Sequence, residues 1–292
     1  MNRLLSVLGL GLLVASCASG SAPSRQPSQA TAPNPSSSRT PTPTPTPSPL
    51  PSPSPVEWPA GVVAYPVGSG ASPLPYLEYL PPGYGDGTPR PLLVFLHGVD
   101  EAADGSEASL GRILELGIPR MIAAGSWPSE RPFVILMPQE PVAKSGRCDF
   151  GPEIGRFLDF AVDRYEIDKT RIYLTGISCG AIGIWDYLAT TTADTVAAAV
   201  PISGHPEWAM DKAGCAVAHV PIWVFHGARD DTVPVGFVED LIDKLRGCRD
   251  PRPNELELAI YPDADHDAWT RTYDLSAGHD VYAWLLQHLR DR

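Results

Sequence analysis

Short apolar runs rich in β-branched and aromatic residues alternate along this chain with segments of helical periodicity, and that alternation restricts the fold more than any other feature. The runs are YLEYL (76–80), LLVFLHG (92–98), FVILMPQ (133–139), RIYLTG (171–176), AAAVPISG (197–204), PIWVFHG (221–227) and LELAIYP (256–262). Several are continuously apolar, as strands buried on both faces of a sheet must be. Between them lie helical patterns at 109–125, 153–166, 179–190, 236–247 and 276–291; in the second, Ile154, Phe157, Leu158, Ala161 and Tyr165 share one face. Strands alternating with helices of this length form crossover units, so an α/β domain with a mostly parallel central sheet and helices on both faces is expected. GVVAYPV (61–67) and YLEYL are read as antiparallel edge strands.

This pattern begins only near Val56. Many of the 33 prolines fall before it, in a tract reading PTPTPTPSPLPSPSPVEWP. Residues 18–55 are mostly Ser, Thr, Pro and Ala, too poor in large apolar side chains to offset the entropy of ordering, and are read as a linker. In extended polyproline II such a stretch reaches on the order of 100 Å. Residues 1–17, MNRLLSVLGLGLLVASC, have a basic start, an apolar stretch from Leu4 to Val14 and small residues before a cysteine, the layout of an export signal. The ending VASC resembles the bacterial lipobox, which makes Cys17 the lipidated N-terminus of a protein tethered in a bacterial cell envelope, with residues 56–292 as its folded domain outside the cytoplasm. An ordinary cleaved signal is the alternative.

A net charge of −12 without any basic run argues against a nucleic-acid surface. Export makes disulfides plausible among Cys148, Cys179, Cys215 and Cys248. Cys215 precedes the run VPIWVF and Cys248 follows the helical pattern at 236–247; a strand and an antiparallel helix bring those ends together, so Cys215 is expected to pair with Cys248. Cys148 and Cys179 are left as either a pair or two buried thiols.

In parallel sheets functional groups gather at the carboxyl ends of the strands. Four runs end in suggestive residues: LLVFLHGVD in His97 and Gly98, RIYLTGISCG in Ser178, PIWVFHGARDDTVP in Asp230 or Asp231, and LAIYPDADHDAW in His266. A serine hydroxyl becomes a nucleophile at neutral pH when a histidine takes its proton and a carboxylate orients that histidine. The glycines around Ser178 suit a sharp strand-to-helix turn.

These motifs, with LPPGYGDG and DADHDAWTRTY, resemble the α/β-hydrolase superfamily over about 76–292. Within it they are most similar to secreted serine esterases of the polyhydroxybutyrate-depolymerase-like and feruloyl-esterase-like kind, some labelled predicted peptidases. The resemblance implies a triad of Ser178, Asp230 and His266, an oxyanion hole made by the N–H groups of Val99 and Cys179, an ester substrate that is polymeric in some relatives, and no cofactor. Asp230, third after the His-Gly pair, fits the pattern better than Asp231. No second histidine or cysteine stands at ligand spacing from His266, so no metal is expected. His97 is expected to shape the oxyanion loop; Trp185 and Trp269 either line a pocket or pack. Two departures stand out: Asp100 replaces a second glycine after HG, and Cys179-Gly180-Ala181 replaces Met-Gly-Gly. A peptidase on the same scaffold and a non-catalytic polymer-binding module are the alternatives, and a monomer is the default. The loops at 99–110, 140–152 and 204–219, on which substrate choice depends, carry no readable pocket.

Overall fold

The computed structural model describes residues 56–141, 150–190 and 195–290. The export layout, Cys17, the linker and Cys148 lie outside the described residues. Eight strands form one sheet: β1 (Val62–Tyr65), β2 (Tyr76–Tyr79), β3 (Arg90–Leu96), β4 (Val134–Pro138), β5 (Ile167–Ile177), β6 (Ala198–Ile202), β7 (Ile222–Gly227) and β8 (Leu256–Tyr261). Their order is β1-β2-β4-β3-β5-β6-β7-β8. β1 and β2 pair antiparallel with each other, β2 pairs antiparallel with β4, and the remaining pairings are parallel. Each apolar run of the sequence is a strand, and the two leading runs form the antiparallel edge.

The helices are α1 (Glu107–Leu110), α2 (Gly117–Ala123), α3 (Gly151–Arg164), α4 (Cys179–Leu188), α5 (Glu207–Ala213), α6 (Gly236–Arg246), α7 (Trp269–Tyr273) and α8 (Val281–Gln287). On one face of the sheet Leu92, Val94, Leu96, Leu174 and Val224 meet Phe157 of α3, Ile184 of α4 and Leu241 of α6. On the other, Leu93, Phe95, Tyr173 and Phe225 meet Ile122 of α2, Tyr273 of α7 and Leu285 of α8. Adjacent residues of β3 thus enter opposite cores, which is why the run is apolar without a break; each large side chain so buried contributes about 1.5–3 kcal/mol. The face of α3 read from the sequence is buried as a unit, from Ile154 to Tyr165.

Two helical patterns are shorter than their periodicity suggests. The one at 109–125 is broken into α1, a 3₁₀ turn at Gly111–Glu115, and α2. Gly117 causes the break: its φ is +61°, left-handed, and a Cβ there would stand 2.7 Å from the Phe95 ring. The last helix begins at Val281, capped by the Asp280 side chain, which accepts the Ala283 N–H. His279, expected in that helix, lies in the turn before it. The loop at 204–219 conversely holds α5, and the segment after His266 holds α7.

Cys215 and Cys248 are joined as expected, with Cα atoms 5.7 Å apart and a sequence separation of 33. The bond ties the 3₁₀ turn at Gly214–Ala218 to the chain just beyond α6. The Asn254 N–H, bonded to Ala218 O at 2.8 Å, reinforces that junction. Replacing both cysteines by serine is expected to lower unfolding free energy by about 3–4 kcal/mol in the chain-entropy view. Urea denaturation of native and variant protein checks it.

Candidate active site

β5 ends at Ile177, α4 begins at Cys179, and one residue makes the turn between them. Ser178 has φ 50° and ψ −117°, a left-handed conformation costly for a side chain with a Cβ. Two backbone bonds hold it: the Ser178 N–H donates to Ile202 O at 2.9 Å, and Ser178 O accepts the Ile182 N–H at 3.0 Å. The flanking glycines answer to space. A Cβ on Gly180 would lie 2.1 Å from the Leu96 carbonyl oxygen, and one on Gly176 2.8 Å from the same atom. The end of β3 therefore presses against the turn that presents Ser178.

Asp230 lies in the turn after β7, its side chain sealed from solvent. Its Oδ1 accepts the N–H groups of Thr232 (3.0 Å) and Val233 (2.8 Å). Its Oδ2 is 2.7 Å from His266 Nδ1 and 3.2 Å from His226 Nε2. His266 lies between β8 and α7, and its loop is tied to the acid's loop by Ala228 N–H to Tyr261 O (3.0 Å) and Arg229 N–H to Ala264 O (2.9 Å). His266 Nε2 is 3.0 Å from Ser178 Oγ. A carboxylate on Nδ1 sets the proton there, which leaves Nε2 to accept from the serine hydroxyl. Asp231, one residue on, is exposed.

The loop after β3 approaches Ser178 from the other side. His97 is buried; its Nε2 accepts the Glu140 N–H at 2.9 Å, so Nδ1 carries the proton and donates to Gly98 O at 2.6 Å. Burial pushes His97 down to about 4, so it is neutral at physiological pH. The Gly98–Val99 peptide is a rigid unit, so fixing its carbonyl also fixes the direction of the Val99 N–H. Gln139 secures the loop further on, its Nε2 donating to Glu101 O (2.9 Å) and Ser109 O (2.8 Å). Val99 opens a 3₁₀ turn and Cys179 opens α4, positions whose N–H groups have no acceptor within their own helix.

Solved structures with this architecture are numerous. A thermostable esterase matches with TM-score 0.56 at 22% identity, covering 78% of this chain and 63% of its own. Esterase 2 of Thermogutta terrifontis, in a form phosphoramylated by tabun, matches with TM-score 0.53 at 15% identity over 78% of this chain and 95% of its own. An acylaminoacyl peptidase of Pyrococcus horikoshii matches with TM-score 0.55 at 14% identity over 79% of this chain and 42% of its own. The chain has the α/β-hydrolase fold. The prolyl oligopeptidase family matches residues 203–292, the segment that bears Asp230 and His266. Among curated proteins, none matches the chain.

Within this α/β-hydrolase fold the three residues singled out at strand ends are brought into one hydrogen-bonded chain. Trp185 is buried in the core behind α4 and packs. Trp269 stands edge-on to the His266 ring, centroids 5.2 Å apart, and also packs. Cys179 is held in a disulfide; Cys148, considered with it in the sequence as a pair or as two buried thiols, lies outside the described residues. Asp100 is exposed. Its neighbour Glu101, which sequence reasoning passed over, is buried, and its Oε2 has no hydrogen-bond partner among the described residues. Burial raises the Glu101 carboxyl above the usual range. A Cβ on Gly98 would lie 3.0 Å from that Oε2 and 3.7 Å from Ser178 Cβ, which puts the acid beneath the turn. Nothing in the pattern VDEAAD distinguishes a buried glutamate from a solvated one. Among the described residues no group of three His, Cys, Asp or Glu is arranged to hold a metal ion.

The buried His97 makes stability depend on pH. Its folded-state value lies below the unfolded one, so its contribution is present above about 6.5 and is lost as pH falls toward about 4. Between pH 7 and 4.5 this amounts to on the order of 2–3 kcal/mol. Urea denaturation at the two pH values should show a correspondingly smaller pH dependence in His97→Gln than in the native protein.

Proposed function

We propose that the protein is a serine hydrolase that cleaves carboxylic esters through an acyl-enzyme on Ser178. The observation that carries this reading is the continuous chain from Ser178 Oγ through His266 to Asp230, at 3.0 and 2.7 Å, on a left-handed turn that exposes the hydroxyl to attack. Ser178 Oγ attacks the ester carbonyl while its proton passes to His266 Nε2. The Nδ1–H bond to Asp230 stabilises the imidazolium that forms. The oxyanion is received by the N–H groups of Val99 and Cys179, each worth about 3–4 kcal/mol of barrier. His266 returns the proton to the leaving alkoxide, and water, activated by the same histidine, releases the acid. No step calls for a metal or organic cofactor.

The esterases among the structural neighbours support the ester class. The similarity to polyhydroxybutyrate-depolymerase-like and feruloyl-esterase-like proteins extends it to polymeric or aryl esters. Lipidation at Cys17 and the proline-rich linker would hold such a domain outside the cytoplasm within reach of an extracellular polymer.

A serine peptidase is the second reading, favoured by the match of residues 203–292 to the prolyl oligopeptidase family. The chain spans only 42% of the acylaminoacyl peptidase it resembles, and it carries no obvious large cap insertion in sequence. Hydrolysis of p-nitrophenyl butyrate against the matching p-nitroanilide decides between the two, and turnover of the anilide alone would overturn the ester reading.

Ser178→Ala is expected to lower kcat on p-nitrophenyl butyrate by about a thousandfold or more. Asp230→Asn should lower it by roughly 10³- to 10⁴-fold through loss of the correct tautomer, whereas Asp231→Asn should stay within about twofold, as a solvated surface change does. Steady-state kinetics of the three variants, with circular dichroism to verify folding, test the assignment.

A further inference from the structure

Asp230 touches two imidazoles. His226, the penultimate residue of β7, has a side chain sealed from solvent, and its Nε2 lies 2.8 Å from Val233 O and 3.2 Å from Asp230 Oδ2. A carbonyl can only accept, so Nε2 carries the proton, and that one N–H is shared between Val233 O and the carboxylate. Nδ1 is buried and has no hydrogen-bond partner among the described residues. A second proton there would have nowhere to donate, and burial holds His226 below the usual histidine range, against the opposing pull of Val233 O and Asp230. His226 is therefore a fixed neutral donor. The carboxylate receives four N–H groups in all: Thr232 and Val233 on Oδ1, His266 and His226 on Oδ2.

Resting on the serine-hydrolase reading above, we infer that His226 is a positioning residue for the reaction. Its N–H competes with His266 for the same oxygen of Asp230, and so sets how strongly the acid holds His266 as imidazolium and the pH at which the base is lost. The neighbouring ionisable groups do not share this geometry. Arg229 and Asp231 on the same turn, Asp263 and Asp265 on the His266 loop, and Glu239 and Asp240 on α6 are all exposed, where solvent screens them.

Two variants of the same chemistry differ only in reach. The His226→Gln amide nitrogen can occupy the place of Nε2, whereas in His226→Asn it ends one bond short. Removing the shared bond leaves the charge on Oδ2 to His266 alone, which favours the imidazolium. In His226→Asn the acid-limb midpoint of kcat on p-nitrophenyl butyrate should therefore rise by about half a unit to one unit, the equivalent of one hydrogen bond. Its kcat at pH well below that midpoint should fall about three- to tenfold with KM within about twofold, and His226→Gln should stay near the native profile. The His266 ring followed by NMR titration should show the same upward shift without any substrate.

A purely structural tether between His226 and Val233 would lower thermal stability in His226→Asn and leave its midpoint at the native value; that result overturns the inference, as does a downward shift. If His226→Gln fails to fold, His226→Asn against the native protein carries the comparison. If native protein and Ser178→Ala are equally inert on esters and anilides, the hydrolase reading falls, and the NMR titration still decides the role of His226.

Discussion

The carbonyl of Leu96, at the end of β3, stands so close to the β5–α4 turn that positions 176 and 180 have no room for a side chain. That contact does more than pack two elements. It brings the loop after β3 to the serine, where a Cβ on Gly98 would lie 3.7 Å from Ser178 Cβ. It also backs the turn against a rigid strand, which is how a residue at φ 50° persists at a cost on the order of 1–3 kcal/mol. A looser approach would let the turn relax into ordinary backbone and swing the hydroxyl away from His266.

The site combines a sealed acid with a half-exposed histidine. Asp230 is closed in by backbone N–H groups and two imidazole rings, while His266 retains access to the serine and to water. On the opposite side the supports are neutral or buried: His97 without charge, and Glu101 with a carboxyl that burial biases toward protonation. The supports on that side are thus buried groups, His97 and Glu101, beneath the loop after β3.

Much of this was legible in the sequence, because strands buried on both faces leave unbroken apolar runs and because the residues after them are few. Ser178, Asp230 and His266 each follow such a run, while Asp230 was separable from Asp231 only through the family resemblance, which places the acid third after the His-Gly pair. Helix limits were less legible: the periodicity at 109–125 continues through Gly117, and only the Phe95 ring beneath that glycine explains the break. The burial of Glu101 and the double contact of His226 depend on which loops lie across them, contacts between distant parts of the chain that no local pattern encodes.

The disulfide between Cys215 and Cys248 has a topological side. Asp230 and His226 both lie between the two cysteines, so the acid-bearing segment, with β7 and α6, is a covalently closed ring. The surface turn after β7 exposes Ala228, Arg229 and Asp231, the kind of site at which proteases cut. A single nick there would leave both chain ends bound to the same molecule, and the strand, the helix and the carboxylate between them would remain within reach of His266.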